Sequence, residues 1–219
     1  MRSTHTGVFV MSKTKFFYPV NLHTESDKVE DGAVSPEIEF VIYGRLLDAD
    51  LLTADVVEEI EQYTVFSTQM SGKALGQIRT RRTNGVLYEL TTKVYVEGQA
   101  GADEYEESCS EELFDQFKRI ANNGIIKTRY KYNIPFSHIP GLCYELDVMQ
   151  SKTGRAAYAK VDIEIPKEFK TLQAQKDLFR LLPALPFRMT EKVVVFPGQR
   201  SAEASAKIKE MTSDWCVIK

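Results

Sequence analysis

In five stretches of this 219-residue chain, charged residues recur at every second position and each stretch keeps a single sign. Glu37 and Glu39, Glu145 and Asp147, and Asp162 and Glu164 are acidic; Arg79 and Arg81, and Lys127, Arg129 and Lys131, are basic. Apolar residues such as Ile38, Ile78, Leu146, Val161 and Ile163 fill the intervening positions. Side chains two apart on a β-strand share a face, so each stretch reads as a strand with one charged and one apolar side. A solvated face would intersperse the signs, because like charges two apart repel and opposite cross-strand pairs help. Single-sign clusters are tolerable when something of opposite charge binds them. Paired carboxylates suit a hard cation such as Mg²⁺ or Mn²⁺, and paired guanidinium and ammonium groups suit an anion. Together they describe a site for a metal-chelated polyphosphate.

Alternation predicts strands over 37–45, 75–82, 86–97, 125–132, 142–151 and 156–165, with a weaker one near 190–196. Glu89, Thr91 and Lys93 share a face within the third of these. Thr83-Asn84-Gly85 and Lys152-Thr153-Gly154 read as hairpin turns. Helices are expected over Thr53–Thr64, over Glu111–Ala121 behind a Ser108-x-x-Glu111 capping box and before Asn123-Gly124, from Pro166 to Leu182, and over Ala202–Met211. Many strands and few helices give α+β with a mainly antiparallel sheet, expected here as a small β-barrel lined by opposed charges. Three parts are expected: an N-terminal extension over 1–34, a domain over 35–195 and a C-terminal tail over 196–219.

Net charge is −3, which argues against a general nucleic-acid binder and leaves no expectation of sequence-specific DNA recognition. Cys109, Cys143 and Cys216 are spaced for neither a disulfide framework nor a zinc site, so a reduced, cytoplasmic protein is expected. No apolar run reaches the length of a membrane span, so no membrane partner is expected. His5, His23 and His138 lack partner spacing and are not read as catalytic. Phe16-Phe17-Tyr18 reads as an apolar knot docking the extension, and Trp215 as an anchor for the tail.

The order of the charged motifs resembles the CYTH domains, or triphosphate tunnel metalloenzymes. An ExExK-type strand (Glu37-Ile-Glu39-Phe-Val41) is followed by RxR (Arg79-Thr-Arg81), an LTxK-type strand (Leu90-Thr-Thr-Lys93) and KxR (Lys127-Thr-Arg129). Tyr144-Glu145-Leu-Asp147 matches a W/Y-E-x-D strand, and Asp162-Ile-Glu164-Ile-Pro166 an ExE strand. The resemblance spans roughly residues 35–195. It implies an eight-stranded antiparallel barrel, polar inside, with helices packed outside.

It also implies a divalent-metal-dependent hydrolase acting on inorganic triphosphate, a nucleoside or thiamine triphosphate, or an RNA 5′-triphosphate end. Arg79, Arg81, Lys93, Lys127 and Arg129 would grip phosphate oxygens. Glu37, Glu39, Asp162 and Glu164 would hold Mg²⁺ or Mn²⁺, while Glu145, Asp147 and Lys93 form the catalytic set. Glu106 and Glu107 fall near a further acidic position of the family.

One departure weakens the pattern. The opening motif ends in Val41 where the family has Lys, removing a cation that Arg45 or Lys131 would have to supply. The alternative is therefore a catalytically weakened binder of a nucleotide, polyphosphate or RNA. The two extensions leave room for a plugged tunnel mouth or a homodimer.

Overall fold

The computed structural model describes residues 36–47, 53–70, 73–95, 102–135, 139, 141–152, 158–166, 168–169, 171–196 and 201–218. They belong to the unit Val34–Lys219. The readings made for the N-terminal extension, His138 and Thr153-Gly154 lie outside them.

Ten strands and three helices follow in the order β1 (Pro36–Leu46), β2 (Val56–Met70), β3 (Lys73–Thr83), β4 (Leu87–Val94), β5 (Ala102–Ser108), α1 (Glu111–Ile120), β6 (Asn123–Asn133), β7 (Cys143–Met149), β8 (Tyr158–Ile165), α2 (Leu172–Leu181), β9 (Met189–Val195), α3 (Ala202–Thr212) and β10 (Val217–Ile218). All the pairings among them are antiparallel, in the order β10-β6-β2-β3-β4-β5-β1-β8-β7, with β9 against β1. β7 also pairs with β6, from Lys127↔Met149 to Asn133↔Cys143.

The expected α+β class holds, but the sheet has ten strands rather than eight. The two additional strands satisfy backbone that neighbouring strands leave bare. β5 meets β1 only at Pro36 and Glu37, and β9 pairs further along it, from Val41 to Leu46. β7 leaves β6 at Lys127, and β10 takes Ile125 and Gly124. A strand edge without partners is costly when covered, so short added strands serve it.

The segment expected as a helix over Thr53–Thr64 is instead part of β2. Its apolar residues fall at helix-like spacing because both faces of this strand are covered: Ile60 is buried on one and Tyr63 on the other. Val56, Val57, Ile60, Thr64 and Val65 are β-branched and favour the pleated conformation. The helix starts also move. α1 is capped by Ser110, which accepts from the Leu113 N–H, rather than by Ser108. Asn123-Gly124 opens β6 instead of stopping α1. α2 begins after Thr171, whose hydroxyl accepts from the Ala174 N–H, so Pro166 precedes the helix by a turn. The Thr83-Asn84-Gly85 turn forms as expected, with φ of 51° at Asn84 and 74° at Gly85.

The apolar faces of β1, β7 and β8 make the main core. Ile38, Phe40 and Ile42 pack with Leu146, Val161, Ile163 and Ile165 beneath Leu178 of α2. Phe40, Phe179 and Phe196 meet edge to face with centroids 5.4–5.6 Å apart. A second cluster sets Phe114 of α1 against Tyr63 and Tyr88. The C-terminal segment packs on the same unit through buried Ile208 and Met211. Trp215 stacks on Tyr43 at 6.3 Å and donates from Nε1 to the Tyr158 carbonyl, so it does anchor the tail.

Candidate functional site

Cross-strand registers place the single-sign clusters on one continuous face. Arg129 pairs with Asp147, Glu145 with Asp162, Asp162 with Val41, and Glu164 with Glu39. On the other side of β6, Arg129 pairs with Glu58 and Lys127 with Ile60; further on, Gln62 pairs with Arg81, Arg81 with Glu89, Lys93 with Glu104, and Glu37 with Ala102. Directly paired residues point the same way, so these charged residues, drawn from eight strands, share one side. The apolar core lies on the other.

Part of this face is deeply buried. Asp147 is 0% exposed, Asp162 4%, Lys127 6% and Glu145 8%. Burying charges this deeply is tolerated only when they are paired and hydrogen-bonded. Arg129 is the hub: its Nε and Nη2 donate to the two oxygens of Asp147 at 2.7 and 2.9 Å, Nη1 pairs with Glu145, and Asp162 lies 3.9 Å away. Lys127 Nζ lies 2.5 Å from Asp147. Arg79 and Lys93 both pair with Glu104, at 2.9 and 2.5 Å. Arg81 pairs with Glu89 and Glu106 at 2.8 and 2.5 Å.

Among the described residues, two buried polar atoms on this face have neither a hydrogen-bond nor an ion-pair partner of their own: Nε of Arg79, a donor, and Oδ1 of Asp162, an acceptor. Buried groups left unpaired cost roughly 1–3 kcal/mol each, so such orphans point to a ligand.

The electrostatics follow the same division. Burial works to raise the Asp147 carboxyl, but Lys127 and Arg129 override it and hold the group well below the usual carboxylate range. Burial raises Asp162, reinforced by Glu39 and Asp147 and opposed by Lys160, so this carboxyl stands above its ordinary value. Burial, aided by Arg129 and Lys160, draws Lys127 down to about 8 against the pull of Asp147. Asp147 therefore stabilises the fold in full above its unfolded value near 3.8 and progressively less as pH falls toward its lower folded value. Asp147→Asn should be less stable than wild type at pH 7, with the gap narrowing below pH 4; denaturant melts at a series of pH values measure it.

The expected phosphate-binding residues Arg79, Arg81, Lys93, Lys127 and Arg129 are thus brought onto one face, with Glu39, Glu145, Asp147, Asp162 and Glu164. Glu37 falls in register on it too. Among the described residues, no three His, Cys, Asp or Glu side chains converge as a ready metal cage. The carboxylates nonetheless suit Mg²⁺ or Mn²⁺: Glu39 lies opposite Glu164, and Asp162 presents an oxygen without a partner. Mg²⁺ commonly takes only one or two protein carboxylates and completes its shell with water and substrate phosphates.

Three residues on this face were missed. Glu104 pairs with two of the cations, Glu58 pairs with Lys131 at 3.3 Å, and Lys160 lies 2.7 Å from Asp162. Glu58 was hidden by reading β2 as a helix. Lys160 sits two positions before Asp162, where the parity rule would have found it.

No protein-family model matches the chain, and no curated protein matches it. Among solved structures, the chain is similar to the crystal structure of the hypothetical protein NE1496, with 19% identity, 72% of this chain and 88% of that chain covered, and a TM-score of 0.41. A structure of the inorganic triphosphatase NE1496 gives 19%, 74% and 89%, and 0.40. A candidate adenylate cyclase from Bacillus halodurans gives 11%, 67% and 89%, and 0.43. At this identity the chemistry of the site rests on the residues of this chain.

Proposed function

We propose that this chain is a CYTH-type triphosphate tunnel metalloenzyme, hydrolysing a triphosphate with Mg²⁺ or Mn²⁺. The observation that carries the reading is the pair of buried orphans on one charged face: an unsatisfied guanidinium N–H at Arg79 and an unsatisfied carboxylate oxygen at Asp162. An anion answers the first and a cation the second. The strand pairings support it, since β6-β2-β3-β4-β5-β1-β8-β7 run neighbour to neighbour and β7 meets β6 again. That connectivity supports a barrel-like course of the sheet with the charged face inward.

Arg79, Arg81, Lys93, Lys127 and Arg129 bind phosphate oxygens. Glu37, Glu39, Asp162 and Glu164 hold the metal, which supplies charge neutralisation and polarises the phosphate. Asp147 has no solvent access and is fully engaged by Lys127 and Arg129, so it serves as a positioning residue for them. Glu145 orients the attacking water; the water oxygen bonds to the terminal phosphorus as the bridging P–O bond breaks. Lys93 and its neighbours neutralise the charge gathering on the departing diphosphate, so catalysis is positioning plus electrostatics.

Phosphate release with Mg²⁺ or Mn²⁺ tests this on inorganic triphosphate, thiamine triphosphate, ATP and a 5′-triphosphate RNA. Turnover on at least one substrate should vanish with EDTA and fall at least 100-fold in Glu39→Gln. Silence on all four, with triphosphate still raising the melting temperature, would establish instead the catalytically weakened binder to which Val41 points.

A further inference from the structure

We propose that Lys160 is a phosphate-binding residue of this site, supplying from β8 the cation that β1 lacks at Val41. The inference rests on the triphosphate reading above and adds to it a residue outside the motifs.

Register places it. Val41 pairs with Asp162, and Tyr43 with Lys160, so Lys160 stands diagonally across from Val41 on the charged face. Diagonal neighbours lie roughly 7–8 Å apart at the backbone, within reach of a lysine side chain. The two residues that the sequence offered as substitutes are committed elsewhere. Arg45 is exposed and pairs with Glu191 at 3.7 Å, while Lys131 lies between Glu58 and Glu145 at 3.3 and 3.5 Å.

The environment of Lys160 is that of a cation held ready. Its Nζ lies 2.7 Å from Asp162 Oδ2, and an ammonium carries three N–H donors, so the pairing does not exhaust it. The other oxygen of the same carboxylate, Oδ1, is one of the two orphans. Asp162 can therefore face Lys160 through one oxygen and a metal through the other, setting the phosphate-binding ammonium beside the metal position.

The competing explanation is that Lys160 merely neutralises buried Asp162. Metal-free binding of inorganic tripolyphosphate, measured by titration calorimetry in EDTA, separates the two. Asp162→Asn removes the charge Lys160 would neutralise, and the double variant Lys160→Gln/Asp162→Asn removes both charges together, so neither leaves a buried carboxylate unpaired at this position. The double variant should bind tripolyphosphate about 10- to 100-fold more weakly than Asp162→Asn, the range of one lost charge-assisted contact. Adding Val41→Lys to the double variant should recover most of that loss. Equal affinity of Asp162→Asn and the double variant would overturn the assignment and leave Lys160 a counterion. Failure of wild type and Asp162→Asn alike to bind tripolyphosphate, with or without Mg²⁺, would overturn the triphosphate reading itself.

Discussion

Replacing Arg129 with Ala should lower the free energy of unfolding by about 3–5 kcal/mol, the range for breaking a buried ion pair by removing one partner. The guanidinium touches Asp147 through two nitrogens, Glu145 through a third, and lies 3.9 Å from Asp162. Its loss strands carboxylates that have almost no access to water. For a chain of this length the melting temperature should drop by roughly 6–20 °C. The deficit should shrink in acid, because carboxyls deprived of their partner can neutralise by taking up protons. Arg81 is the control on the same face. Its partners Glu89 and Glu106 are more open, so Arg81→Ala should cost no more than about 1 kcal/mol of stability. Chemical melts of the two variants check the contrast, and an Arg129→Ala loss as small as that of Arg81→Ala would show that this hub contributes little to holding the face together.

Mg²⁺ should raise the affinity for inorganic tripolyphosphate about 100-fold, and tripolyphosphate should raise the affinity for Mg²⁺ by the same factor, as reciprocity requires. The cause lies in how the charges pair without ligand. Arg79 and Lys93 are held by Glu104, Arg81 by Glu89 and Glu106, and Lys127 by Asp147. A polyanion draws these cations toward itself and weakens their hold on the carboxylates. The same exchange at Lys160 and Asp162, 2.7 Å apart, frees a carboxylate proposed above for the metal, and a bound cation in turn releases the ammonium for phosphate. Calorimetric titration of each species with and without the other, corrected for their complexation in solution, measures the coupling. Independent affinities would mean that the two clusters do not exchange partners.

Much of this site could be read from the chain because parity carries it. A strand that alternates charge with isoleucine or valine, as 161–165 does, announces both its conformation and its charged side. The turn at Asn84-Gly85 was equally plain, since both residues adopt positive φ at little cost. What stayed hidden has a common cause. β2 is covered on both faces, so Ile60 and Tyr63 break the alternation and mimic a helix. β5 is acidic on both parities, Glu104 and Glu106 on one side and Asp103 and Glu107 on the other, and leaves no apolar stripe. β10 is defined by the bare backbone of β6 rather than by its own residues, and no single segment reveals that, whereas β9 falls where a strand near 190–196 was expected. That the charged side is the enclosed one depends on how strands meet, which pattern alone does not state.

The apolar core of this protein lies on one side of its strands, and several charged groups on the other side are also buried. Neighbouring residues along one strand consequently answer to different demands. Phe40 and Ile42 hold α2 in place, while Glu39 and Val41 between and beside them face the charged side. A scaffold of this kind can change the charges it presents by altering every second residue, and leave the apolar side untouched. Val41, uncharged beside Glu39 and opposite Asp162, is a variation of this kind, confined to one parity of one strand.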